Sequence, residues 1–196
     1  SGNITIPNTV ETIGNSAFYN CSGVNGALTI GENVTSIGNS AFNGCSGLIS
    51  IVCKQLIPPM IGTNVFDGST CSIYVPITSL NTYLNDTNWS NYVSRIKPYI
   101  NFEDKQVEDI AINSNWDIVN DNVISKVEAE NVSALENKYM NNTSIKTFNE
   151  LSYFIGLQEI DVNDFNGCLN LTGVTLPNNI TKINMNGFAD CQKLSS

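Results

Sequence analysis

A phenylalanine followed three residues later by a cysteine recurs along this chain, and that recurrence limits what the chain can fold into. Phe18 leads to Cys21, Phe42 to Cys45, Phe165 to Cys168 and Phe188 to Cys191. An isoleucine stands five residues before each phenylalanine: Ile13, Ile37, Ile160 and Ile183. Another apolar residue precedes each isoleucine by three (Val10, Val34, Leu157, Ile180), and one follows each cysteine by three (Val24, Leu48, Leu171, Leu194). The step from Phe18 to Phe42 is 24 residues, and from Phe165 to Phe188 it is 23. A fixed period in this range marks a solenoid, whose units bury their apolar faces only against one another. Like positions then pile up in columns, each buried Ile, Val, Leu or Phe contributing roughly 1.5–3 kcal/mol.

Within a repeat, Thr5-Ile6-Pro7 and its counterparts Leu28-Thr29-Ile30 and Val174-Thr175-Leu176 read as parallel strands. Alternation in Val34-Thr35-Ser36-Ile37 predicts a second short strand. Ser40 to Cys45 predicts a helical turn that tucks the phenylalanine and cysteine inward. Gly14, Gly38, Gly44 and Gly47 suit tight corners that need positive φ.

The run I-P-x-x-V-x-x-I-G-x-x-A-F-x-x-C spans Ile6 to Cys21 and returns, with Gly31 for the proline, at Ile30 to Cys45. It resembles the BspA-like leucine-rich repeats of bacterial surface proteins. The C-terminal copies depart from it, with Asp164 and Gly187 in place of the alanine. The resemblance implies an α/β repeat fold: a leucine-rich-repeat solenoid with short parallel strands, interrupted here by a small helical segment.

Four segments follow in order. Residues 1–52 carry two good repeats. Residues 53–98 close that array: Ile61 and Phe66 keep the spacing, Ser69 replaces the cysteine, and Pro58-Pro59 breaks the strand register. Cys71 to Pro76 reads as a last strand, and Ser79 as the N-cap of a helix through Leu84 that turns Tyr83 and Leu84 to the last coil. Trp89, Tyr92 and Ile96 then cover the open core, or else form a binding patch; the run resembles the C-terminal cap of BspA-like arrays. Residues 99–140 form an acidic helical module, with Phe102, Val107, Ile110 and Ala111 at helical spacing and Val127, Val132 and Leu135 roughly so. Residues 141–196 begin a second array, with Ile145 and Phe148 in an imperfect first coil. The chain opens just before a strand and stops where another is due, so it is expected to be a piece of a longer protein.

Inside the acidic module, Trp116 to Glu128 resembles an EF-hand loop, of a kind BspA-like proteins place between arrays. The resemblance implies a calcium site with Asp117 first and Asp121 fifth among the ligand positions. Val123 would offer its carbonyl, Ser125 the ninth position and Glu128 a bidentate twelfth. Two departures stand against it. Val119 has no side-chain oxygen at the third position, and Asn122 replaces the turn glycine. Ser125 and Glu128 also make a capping box, S-x-x-E ahead of a helix. The alternative is a loop that no longer binds metal but still orients two helices. Asp104, Glu108 and Asp109 read as a solvated helix face.

Net charge is −9, which argues against nucleic acid and anionic membranes as partners. Residues 101–164 hold thirteen acids and four lysines, while the remainder has five of each sign, so the acidity belongs to one region. No segment is long and apolar enough to span a bilayer. Histidine is absent, which excludes Ser-His-Asp and Cys-His catalysis and His-ligated zinc. Four of the six cysteines share one repeat position and read as a buried apolar ladder. Cys53 and Cys71 lie outside it and are candidates for a bridge in an exported protein. N-x-S/T triplets, as at Asn33, Asn88 and Asn179, match chance in so Asn-, Ser- and Thr-rich a chain.

No acid pair has spacing that marks an enzyme. The expected function is therefore non-enzymatic. Stacked coils make an extended recognition face, on which Thr5 and Thr29 are candidates. The BspA-like resemblance implies an extracellular protein of the bacterial surface that adheres to a protein or glycan on a host or neighbouring cell. A structural spacer that holds other domains off the surface is the alternative.

Overall fold

The computed structural model describes residues 2–195; Ser1 and Ser196, at the two ends where the chain is expected to be cut, lie outside the described residues. The chain forms two compact units, Ser1–Tyr99 and Ile100–Ser196.

In the first unit the strands are β1 (Ile4–Ile6), β2 (Thr12–Ile13), β3 (Ala27–Ile30), β4 (Ser36–Ile37), β5 (Ser50–Cys53), β6 (Met60–Ile61) and β7 (Ser72–Pro76). Helix α1 (Leu80–Asn85), a 3₁₀ stretch over Thr87–Arg95 and strand β8 (Ile96–Tyr99) complete it. All pairings are parallel. One sheet runs β1-β3-β5-β7-β8, the other β2-β4-β6. The register carries the sequence period directly: Ile4 pairs with Leu28, Leu28 with Ile51, Ile51 with Ile73 and Ile73 with Ile96. Ile13, Ile37 and Ile61 align likewise in the second sheet. The phenylalanines stack between the sheets, Phe18 on Phe42 at 5.0 Å and 5°, Phe42 on Phe66 at 5.8 Å and 16°.

The segment Ser40–Cys45 and its counterpart Ser16–Cys21 are not helical; they are chains of turns. Two features explain the difference. Ser16, Asn20 and Ser40 sit at φ 54°, 58° and 55°, left-handed values that a right-handed helix cannot absorb. Their N–H groups are also spent on the next repeat: Ser16 donates to the Asn39 carbonyl (2.9 Å), Phe18 to Ala41 (2.7 Å) and Asn20 to Asn43 (2.7 Å). The same three bonds recur one repeat on, from Ser40, Phe42 and Gly44 to Thr63, Val65 and Asp67. The turns thus form a third line of inter-repeat hydrogen bonds.

Of the four glycines expected at positive φ, only Gly44 has it, at 79°. Gly38 is glycine for want of space. A Cβ there would lie 2.5 Å from both the backbone nitrogen and Oδ1 of Asn15, the side chain that accepts from the Asn39 N–H at 2.8 Å.

Past β7 the chain closes the array. Trp89 is fully buried, 6.0 Å from Phe66 and 5.0 Å from Tyr83. Its indole N–H donates to the Pro59 carbonyl at 3.0 Å, and the Tyr83 hydroxyl to the Gln55 carbonyl at 3.2 Å. Ser79 does occupy the N-cap position of α1, but its side chain makes no capping bond.

The second unit contains α2 (Lys105–Ile112), α3 (Lys126–Asn131), β9 (Thr147–Phe148), a 3₁₀ turn over Asn149–Tyr153, β10 (Glu159–Ile160), β11 (Gly173–Val174) and β12 (Lys182–Ile183). Here β9 pairs with β11 and β10 with β12, both parallel. Its aromatic column is Tyr139, Phe165 and Phe188, with rings stacked 5.5 Å and 5.0 Å apart and nearly parallel. Tyr139 is the first rung, although neither its residue type nor Asn142 at the cysteine place fits the sequence pattern. The helical stretch and the repeats share one core, since Phe102 packs on Phe148 and Trp116 on Phe154. Val127, expected on an apolar helix face, is exposed. Helix α3 ends at Asn131, so Val132 and Leu135 are buried beyond it and not along it.

The cysteines do more than fill space. Cys45 donates from Sγ to the carbonyl of Phe18, Cys168 to that of Tyr139 and Cys191 to that of Phe165, each at 3.1 Å. Each thiol is thereby tied to the aromatic of the preceding repeat. All six cysteines are free, so Cys53 and Cys71 are not bridged.

Candidate functional site

The loop from Trp116 to Glu128 holds the residues for which the EF-hand resemblance implies a calcium site. Asp117 is buried, and its carboxylate accepts from two backbone groups, Asp121 N–H at 3.1 Å and Asn122 N–H at 2.9 Å. Asn120 and Asn122 supply the turn with φ of 55° and 63°, which Asn tolerates better than most residues. Asp121 accepts from the Val123 N–H at 3.3 Å. Glu128 closes the other side. Oε1 accepts from Ile118 N–H at 2.8 Å and Val119 N–H at 3.3 Å. Oε2 accepts from the Ser125 N–H and hydroxyl, both at 2.8 Å. The Ser125 hydroxyl accepts in turn from the Glu128 N–H, completing the capping box.

Burial pushes the Asp117 carboxyl above its ordinary range; the N–H bonds from Asn122 and Asp121 pull it back, and the nearby Glu128 charge adds to the rise. Calcium takes about six to eight oxygens. In this loop the carboxylates turn to backbone N–H groups, and Val119 offers no side-chain oxygen. Among the described residues no group of three or more His, Cys, Asp or Glu side chains is placed to hold a metal ion. The donors as placed do not form a calcium shell; they close the loop on itself.

A cavity of about 150 Å³ adjoins the loop, lined in part by Trp116, Glu128, Asn131 and Val132. It is smaller than the roughly 300–1,000 Å³ typical of sites for drug-sized ligands. Burial pushes the Cys168 thiol up to about 12 and Cys53 higher still, which keeps both protonated at neutral pH and unfit as nucleophiles.

The other candidate surface is the outer face of the five-stranded sheet. Side chains alternate across a strand. Ile4, Leu28, Ile51, Ile73 and Ile96 join the core, so the next position points away from it. That column reads Thr5, Thr29, Val52, Tyr74, Lys97. Thr5 and Lys97 are exposed, Thr29 and Tyr74 half-buried, and Val52 fully buried. Sequence reasoning reached Thr5 and Thr29 but missed Tyr74 and Lys97. They follow only once β7 and β8 are known to continue the same sheet.

The sequence model of the BspA type leucine rich repeat region matches this chain in six copies, over residues 2–127 and 80–195. The chain belongs to that family. Among solved structures, it is similar to a leucine rich cell surface protein from Faecalibacterium prausnitzii A2-165, at 21% identity and a TM-score of 0.33. That match covers 100% of this chain and 47% of the other, so the chain spans about half the length of that protein. Comparison with curated proteins finds no match.

Proposed function

We propose that this chain is a non-enzymatic recognition segment of an extracellular, surface-exposed repeat protein, and that it binds a protein or glycan on a host or neighbouring cell. Family membership supports the surface placement. The observation that carries the binding role is the unbroken parallel register of five strands, which lines up Thr5, Thr29, Tyr74 and Lys97 on one face. Such a face of stacked coils recognises an extended partner through many small contacts. No described helix is long and apolar enough to cross a membrane.

The test is a screen of the intact chain against extracellular-matrix proteins and glycans, repeated with Thr29→Arg and Tyr74→Ala. The expected result is a ligand whose binding falls in both variants while their melting temperatures stay near that of the parent. Binding that ignores both substitutions contradicts the assignment to this face.

A spacer role is the second reading. The outer column of the smaller sheet runs Thr12, Ser36 and Met60. The first two are small polar groups, the Ser36 hydroxyl bonded to that of Thr12 at 3.3 Å, and offer little to a partner, while Met60 is exposed. A full screen that yields no ligand favours this reading.

A further inference from the structure

The two residues ahead of α2 are stitched to the strand and turn that open the second unit's repeats. Asp104 caps α2 by accepting from the Gln106 N–H at 2.9 Å. Its other oxygen accepts from the Lys146 N–H at 2.6 Å and the Thr147 N–H at 3.3 Å. Asp104 was expected on a solvated helix face; it is instead half-buried and bonded across 42 residues. Beside it, the Glu103 N–H donates to Oε1 of Glu150 at 3.1 Å, and Asn149 donates to the Glu103 carboxylate at 3.4 Å.

Glu150 is the unusual member. Only 7% of it is exposed. Its Oε2 is enclosed and has no hydrogen-bond partner among the described residues. A buried carboxylate oxygen without a donor is costly when ionised. Nor does a cation offset it. Lys105 is held by Glu108 and Asp109. On α3, which packs against the same turn, Lys126 pairs with Glu130 and Glu128 is committed to its loop. Neither β9 nor β11 carries a charged residue, and Lys146, next to β9, is exposed and forms no ion pair among the described residues. Tyr153 is the other titratable group on Glu150's own turn.

We propose that Glu150, flanked by Glu103 and Asp104, is a proton-operated latch that ties the lead-in of α2 to the first repeat of the second unit, tighter in mildly acid surroundings than at neutral pH. A proton from solvent adds to the unpartnered Oε2. Oε1 keeps the Glu103 N–H, and the repulsion from the two neighbouring carboxylates is relieved. The direction of titration agrees. Burial first, and then the Glu103 and Asp104 charges, raise the Glu150 carboxyl above its ordinary range, against the pull of N–H bonds from its own backbone and from Glu103. A raised value in the folded state means that the folded form holds the proton more firmly than the unfolded one. The stabilisation is therefore complete below the unfolded value and is lost as pH rises through the folded value.

The test is hydrogen exchange on the intact chain, with protection factors corrected for intrinsic rates, followed at residues 102–104 and 145–154 between neutral and mildly acid pH. In the parent these amides are expected to become several-fold more protected on acidification. Glu150→Gln, which cannot ionise, is expected to be more protected at neutral pH and to lose the dependence. A parent junction that loosens on acidification, or a Glu150→Gln variant that keeps the parent's pH response, overturns the proposal. If that variant fails to fold, carboxyl-carbon NMR of the parent decides. A Glu150 midpoint above the ordinary ~4.3 supports the latch, and one at or below it refutes the latch.

Discussion

The Phe66 N–H donates to the Tyr92 hydroxyl at 3.2 Å, at the place where the Phe42 N–H donates to the Val65 carbonyl at 2.9 Å. A side chain has replaced the backbone of a repeat that does not follow. The Tyr92 hydroxyl in turn donates to the Asp67 carboxylate at 3.3 Å. Nearby, Arg95 reaches the Cys71 carbonyl at 2.9 Å. The end of the first array is thus sealed both by aromatic surface and by donors and acceptors that match the exposed edge of the last coil.

Removing only that hydroxyl tests the match. Tyr92→Phe keeps the ring against Phe66 and Trp89 but leaves a buried N–H unpaired, at a cost of about 1–3 kcal/mol. Tyr92→Ala, which also opens a cavity, is expected to cost about 3–5 kcal/mol. Urea unfolding of the two variants separates the polar part of the seal from the apolar part.

Two glycines give opposite outcomes. Gly38→Ala drives a Cβ against the Asn15 nitrogen and Oδ1, each 2.5 Å away, and is expected to lower stability by about 1–3 kcal/mol. Gly14→Ala meets nothing within 4 Å at a φ that suits any residue, so it is expected to change stability by less than ~1 kcal/mol, in the stabilising direction. Thermal unfolding of the pair distinguishes a glycine kept for space from one that is not.

The Trp116–Glu128 loop is expected to hold its shape without metal. Glu128→Ala strands the Ile118, Val119 and Ser125 N–H groups, and it is expected to destabilise by about 2–4 kcal/mol. Millimolar Ca²⁺ or a chelator is expected to leave the parent's melting temperature unchanged. Calorimetric heat of Ca²⁺ binding, or a calcium-dependent rise in melting temperature, contradicts this account of the loop.

How far the sequence alone reached is clearest residue by residue. Ile13, Phe18 and Cys21 were legible because the same trio recurs at Ile37, Phe42 and Cys45, and parallel pairing then had to follow the period. Tyr139 was not legible. It fills the phenylalanine place with a different ring, 26 residues before Phe165 and with asparagine at the cysteine position, so only its 5.5 Å stacking reveals it. The turns were misread as helical because Ser16, Asn20 and Ser40 are ordinary residues in sequence, and their left-handed backbone is imposed by bonds to the next repeat. The face residues Tyr74 and Lys97 depend on strand register across the closing segment, which no local pattern encodes. At the carboxylate loop, whether each acid faces a cation or a backbone N–H is a matter of side-chain direction, which residue types do not encode.

The central claim is that equivalent side chains stack repeat upon repeat, each touching only its neighbours. A double-mutant cycle tests it most directly, with Phe42→Ala and Phe66→Ala measured singly and together by urea unfolding. Rings 5.8 Å apart and nearly parallel predict a coupling of about 0.5–1.5 kcal/mol. The Phe18 and Phe66 pair, separated by Phe42, is expected to be additive within about 0.5 kcal/mol. Additive Phe42 and Phe66 effects, or equal coupling in both pairs, contradict a stacked column.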